Sequence, residues 1–152
     1  TMTHEDHLVV ETRYGHHFER VVIEVTEEES RNTESLIKKV DFIKKNGIQI
    51  ALDDFGSGYS NEIRILSLRP DIIKIDMEMI QGIHVNGDKQ NLVVNLVEFC
   101  HSKGILVVAE GIETDEQLSY LKRSGCDMGQ GYLFSHPLPA DQVTAFIRQR
   151  NS

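Results

Sequence analysis

The sequence predicts an α/β fold, a partial (β/α) barrel of about five parallel strands with intervening helices. Apolar runs rich in β-branched residues alternate along the chain with stretches of helical spacing. Acidic or amide residues close each apolar run: Glu24 and Glu27, Asp53 and Asp54, Asp76, Glu110 and Glu113, and Gln130. One carboxylate at a strand end is unremarkable, but five strand ends loaded alike resemble the rim of one site, as in barrels whose reactive groups leave the C-terminal ends of several strands. Finally, the 152 residues fall short of the roughly 250 that a full eight-fold barrel takes.

Residues 1–19 hold four of the seven histidines and show no clear period. His4 and His7 lack a third ligand and read as a solvated terminus, with a short helix expected over 8–14. Residues 20–26 are apolar and β-branched, a strand. Leu36, Ile37, Val40 and Ile43 recur at helical spacing over 33–45, and Asn46-Gly47 stops that helix. A strand over 48–52 precedes a helix over 60–68, which Pro70 closes. A third strand covers 71–75. Leu92, Val93, Leu96, Val97 and Cys100 form one stripe on a helix over 88–103 that stops at Gly104. A fourth strand covers 105–109, Thr114 can N-cap a helix to Arg123, a short fifth strand lies near 127–130, and a final helix runs over 141–150. With no low-complexity linker, 20–152 reads as one barrel domain behind the 1–19 segment.

The net charge of -8 and the lack of any basic block exclude a generic grip on a nucleic-acid polymer. Carboxylates gathered in one cleft can instead bind divalent cations, which reverse the local charge and admit an anionic phosphate ligand. Two isolated cysteines, Cys100 and Cys126, read as reduced thiols and point to a cytoplasmic protein. No membrane segment is found, and residues 1–6 lack the layout of a signal peptide.

Asp53-Asp54-Phe55-Gly56-Ser57-Gly58 is the sharpest local signal. Adjacent side chains at a strand end diverge, so one Asp can lie between two cations while the other reaches one. Paired metals suit in-line displacement at phosphorus; Gly56 and Gly58 let the loop turn tightly beside a ligand, which makes Gly56, Ser57 and Gly58 the candidate substrate-binding residues. The alternative is an Asp pair that merely caps a helix. Glu24, pointing inward, would be a hard-oxygen ligand, and Glu27 would brace the Asp-Phe-Gly loop, unless the run is only an acidic helix start. Lys74 and Asp76 share a strand parity, so Lys74 would hold a water or offset phosphate charge while Asp76 orients it; a buried structural ion pair is the bland reading. Glu110 offers a metal or general-base role, with Glu113 and Gln130 as supporting groups.

Five segments in this order closely resemble the EAL-domain family of bacterial cyclic di-GMP phosphodiesterases: EVTE at 24–27, DDFGSGYS at 53–60, KID at 74–76, AEGIET at 109–114 and QGYLFSHPLP at 130–139. The resemblance implies a TIM-like barrel and hydrolysis of cyclic di-GMP to linear pGpG with two divalent cations, Mg²⁺ or Mn²⁺. It implies metal ligation by Glu24, Asp53 and Asp54, with Asp53 bridging, and handling of the water by Lys74 and Glu110. Glu27 would hold the Asp-Phe-Gly loop, and Glu113 and Gln130 would support the site.

The family's Glu-Ala-Leu strand and its metal-binding Asn are not found in residues 1–19. The chain therefore reads as the C-terminal portion of the domain, with impaired hydrolysis expected of it alone. Exposed barrel edges predict a homo-oligomer. Two other readings remain at this point: a non-catalytic module that binds cyclic di-GMP or a protein, and an enolase-like barrel using Lys74 as base, which the doubled aspartate fits poorly.

Overall fold

Val22–Thr26 (β1) is the first element of the computed structural model, which describes residues 21–26, 33–56 and 62–150. Then come Thr33–Lys45 (α1), Gln49–Phe55 (β2), Glu62–Leu68 (α2), Ile72–Ile75 (β3), Met77–Ile80 (α3), Gly87–Ser102 (α4), Leu106–Ala109 (β4), Asp115–Arg123 (α5), Met128–Gly129 (β5) and Ala140–Arg150 (α6). The strands form one five-stranded sheet in the order β1-β2-β3-β4-β5, every neighbouring pair parallel. Sequential parallel neighbours joined through helices are what βα repetition dictates, and the expected α/β barrel architecture holds. The helix expected over 8–14 lies outside the described residues.

The two faces of the sheet differ in chemistry. Ile50, Leu52, Ile73, Ile75, Val107 and Ala109 are buried against the helical layer, where Val40 and Ile43 of α1, Val93 and Val97 of α4 and Leu121 of α5 close the core. Each Ile, Leu or Val among them contributes about 1.5–3 kcal/mol through burial. Because side chains alternate along a strand, the register Glu24↔Ala51, Thr26↔Asp53, Ala51↔Ile72 and Lys74↔Val108 puts Glu24, Asp53 and Lys74 on the opposite face. That face also carries Val22, Leu106 and Met128, all exposed.

Two elements depart from expectation. The second strand extends three residues beyond 52, to Phe55, through a register shift between Leu52 and Phe55. Asp54 sits there at φ 56, a left-handed conformation that Asp tolerates better than most residues. The irregularity returns Phe55 to the buried face and lets two adjacent aspartates leave one strand end. The second departure is α3, unforeseen because its four residues fall below the length at which periodicity is visible. The remaining ends fall within one or two residues of expectation, and Thr114 caps α5 with Gln117 in a reciprocal capping box. Among the described residues no helix is long and apolar enough to cross a membrane.

Candidate functional site

Lys74 is the hub of the site. It leaves β3 on the face away from the helices and is only 8 % exposed, so its ammonium must be partnered. Its Nζ lies 2.9 Å from Glu24 Oε1, 2.8 Å from Asp53 Oδ1 and 2.9 Å from Glu110 Oε1. Glu24 comes from β1, Asp53 from β2 and Glu110 from the residue after β4, so four adjacent strands converge on one ammonium.

The charges do not balance: three carboxylates face one ammonium, and Asp54 adds a fourth acid beside them. Burial and then the neighbouring Asp53 and Asp76 push the Asp54 carboxyl above its ordinary value, against the pull of Lys74. Burial raises Glu110 likewise, with Lys74 again opposing. Burial favours neutral Lys74, but contacts with Asp53, Glu24 and Glu110 outweigh it and hold the ammonium protonated.

Oxygens of Asp53, Asp54 and Glu110 all lie within 4.8 Å of one another. Asp53 Oδ1 is buried and at ion-pair distance from Lys74, yet it receives no regularly angled hydrogen bond. A hard, all-oxygen donor set with surplus negative charge fits a divalent cation such as Mg²⁺ or Mn²⁺.

A cavity of about 300 Å³ opens beside this cluster, lined by Asp54, Asp76, Glu110, Glu113, Gln130 and Tyr132 among others. Gly131 is forced by close approach: a Cβ there would meet the Ile112 carbonyl oxygen at 2.2 Å. At Gly56, on the far side of Asp54, a Cβ would stand 2.8 Å from Met79 Cγ.

The structure thus brings together Glu24, Asp53, Asp54, Lys74 and Glu110, and sets Asp76, Glu113 and Gln130 along the cavity wall. Asp76 requires correction. Its Oδ1 accepts from the Glu78 N–H at 2.7 Å as the N-cap of α3. It does not contact the Lys74 ammonium, because the exposed N–H groups of a helix start claim the nearest acceptor. Glu27, Ser57 and Gly58 lie outside the described residues. Tyr132 and Met77 line the cavity without having been singled out from sequence. Tyr132 is exposed, with its ring centroid 4.2 Å from that of His136. Its position two residues after Gln130 was the available signal, since strand-end residues supply barrel sites.

The EAL domain family model matches residues 4–137. The chain belongs to the EAL domain family. This EAL chain is 38% identical over 128 residues to the probable cyclic di-GMP phosphodiesterase PdeA of Escherichia coli, covering 84% of this chain and 18% of that protein. It is 33% identical over 127 residues to the cyclic di-GMP phosphodiesterase NbdA of Pseudomonas aeruginosa, covering 83% and 16%. Among solved structures, Klebsiella pneumoniae BlrP1 in a manganese and cyclic di-GMP complex superposes with a TM-score of 0.75 at 41% identity, over 78% of this chain and 31% of that one. The EAL enzyme Bd1971, bound to cAMP and cyclic di-GMP, gives 0.89 at 26% identity over 94% and 38%. This EAL chain spans about a quarter or less of the length of the curated relatives it matches.

Proposed function

We propose that this chain carries the metal-binding rim of a cyclic di-GMP phosphodiesterase that opens the cyclic dinucleotide to linear pGpG. The observation that carries the reading is the convergence of Glu24, Asp53 and Glu110 on Lys74, with the Asp53, Asp54 and Glu110 oxygens within 4.8 Å of one another. Family membership and relatives solved with cyclic di-GMP and manganese support it.

Glu24, Asp53 and Asp54 would hold the cations. Two bound divalent cations supply Lewis-acid stabilisation of phosphoryl charge and a more acidic attacking water. The chain's own groups do the rest. Lys74 keeps its proton, so it serves as a fixed positive charge and hydrogen-bond donor toward the phosphodiester and not as the base. Glu110, its carboxyl raised by burial, is the group suited to take the water's proton as the O–P bond forms. The bond from phosphorus to the 3′-oxygen breaks on the opposite side, and that oxygen takes a proton from solvent. Gln130, Glu113 and Tyr132 bound the cavity in which the rest of the ligand sits.

A cyclic dinucleotide, not a nucleic-acid polymer, is the substrate class this acidic surface admits, and we place the reaction in the cytoplasm. The apolar side chains exposed on the same sheet face as Lys74, Val22, Leu106 and Met128, support self-association of the chain. A second reading is cyclic di-GMP binding without turnover: among the described residues β1 and β5 each pair with a single strand, so the sheet has two unpaired edges where a complete barrel has none.

Incubation of the chain with cyclic di-GMP and Mn²⁺, with Asp53→Ala as control, tests the proposal. pGpG that forms with the unaltered chain and vanishes in the variant supports it. Saturable binding without product supports the second reading, and neither product nor binding rejects both.

A further inference from the structure

We propose that the cavity at the other end of the sheet, where β3 and β4 begin, is a binding site for a small amphiphilic anion: an oxyanion head on an apolar body. The cavity encloses about 510 Å³. Lys44, Arg69 and Lys103 supply cations around it, while Ile65, Pro70 and Ile105 supply apolar walls. Three cations in one pocket are conspicuous on a chain of net charge -8.

These cations are not equivalent. Lys44 is already engaged: its Nζ pairs with Asp71 Oδ1 at 2.8 Å and donates to the Arg69 carbonyl at 2.7 Å. Asp71 is neutralised in turn, since its Oδ2 also accepts from the Ile50 N–H at 2.9 Å. The one carboxylate on the wall therefore offers an incoming anion little repulsion. Arg69 and Lys103 have no carboxylate partner among the described residues; the Lys103 ammonium stands 6.0 Å over the Phe99 ring. Two cations without a carboxylate partner among the described residues, in a cavity with apolar walls, call for a ligand with both characters.

Arg69 carries a second, independent signal. It follows α2 at φ 45, a left-handed conformation, with its N–H bonded to the Ile65 carbonyl at 2.8 Å. The corresponding stops after α1 and α4 are Gly47 at φ 77 and Gly104 at φ 71. A left-handed residue at a helix end is ordinarily glycine, because any Cβ is strained there. An arginine held where glycine would be relaxed, in the lining of a cavity, fits a side chain kept for what it binds. The site is separate from the metal-ligand cluster, because Lys74 lies at the opposite end of β3 from Asp71.

The test titrates ¹⁵N-labelled chain with phenyl phosphate in metal-free buffer, in parallel with phenol and with inorganic phosphate. The proposal expects saturable shifts at the amides of Arg69, Asp71 and Gly104, none at Gly111 or Gly131, and tighter binding than by either fragment. Arg69→Gly should weaken phenyl phosphate binding by about tenfold, the loss of one charge-assisted contact, with its thermal midpoint unchanged or raised; Lys103→Gln should weaken binding similarly. No saturable shifts, shifts confined to Gly111 and Gly131, unchanged affinity in Arg69→Gly, or a lowered midpoint in that variant would each overturn it.

Discussion

Lys74 Nζ lies 2.8 Å from Asp53 Oδ1, and Asp53 sits inside the β2 irregularity between Leu52 and Phe55. The ammonium fills the charge deficit that a cation would fill, and it does so from inside the sheet. Removing it leaves three carboxylates facing one another. Lys74→Met should therefore destabilise the metal-free chain by about 2–4 kcal/mol, as for breaking a largely buried pair. Saturating Mn²⁺ should then restore more stability to the variant than it adds to the unaltered chain, since a ligand bound only by the folded state stabilises by mass action. Thermal unfolding with and without Mn²⁺ checks this, and an unchanged midpoint in metal-free buffer would remove Lys74 from its central role.

Asp54 occupies a left-handed position at φ 56 that asparagine also tolerates. Asp54→Asn should keep the fold and its unfolding midpoint while weakening divalent-cation binding by at least about 10-fold, the loss typical of even an indirect metal partner. Asp54→Val, β-branched at the same φ, should lose stability as well. Calorimetric titration of Mn²⁺ against the two variants distinguishes these effects, and equal cation affinity in Asp54→Asn and the unaltered chain would contradict them.

Gly131 packs its Cα against the Ile112 backbone, where a Cβ would sit 2.2 Å from the carbonyl oxygen and 2.3 Å from the nitrogen. Backbone cannot yield as a flexible side chain can. Gly131→Ala should cost at least about 2 kcal/mol through overpacking and should displace Gln130 and Tyr132 from the cavity wall. Urea unfolding reads the first effect and tyrosine fluorescence the second; a variant of unchanged stability would show that the loop moves freely.

Asp127 Oδ2 accepts from the Val107 N–H at 2.7 Å and pairs with His101 Nε2 at 2.9 Å. Partial burial favours the neutral acid, yet these bonds hold the carboxyl below its ordinary 3.8. A group whose folded pKa is depressed adds stability above its unfolded value and loses it as pH falls through the folded one. Asp127→Asn should therefore be less stable than the unaltered chain at pH 7, by no more than about 1 kcal/mol for a part-solvated pair. The difference should close as pH drops beneath 3.8. Denaturant unfolding at several pH values checks it, and a gap that widens in acid would reverse the sign.

Much of this was legible before any coordinates. Period and stop residues located the helix over Thr33–Lys45 and the strand over Ile72–Ile75, because apolar spacing and Gly or Pro punctuation act locally. Strand-end carboxylates marked the site for the same reason: parity and chain order decide which strand tips share a rim. What escaped notice depends on contacts between distant residues. Nothing local says that β2 continues through two aspartates, since the irregularity exists only relative to β3. Nor does a strand parity argument reveal that Asp76 turns away to cap a helix of four residues. The Lys44–Asp71 and His101–Asp127 pairs, each bonded to a backbone N–H of the neighbouring strand, are likewise invisible until the sheet is assembled.

Mn²⁺ binding by the folded chain, followed by calorimetry against an Asp53→Asn, Asp54→Asn double variant, tests most directly whether these acids form a cation site. Saturable binding that the double variant loses, with its fold intact by circular dichroism, is the predicted result. Equal Mn²⁺ affinity in both proteins would contradict the account, because the surplus charge around Lys74 would then serve only to hold the strands together.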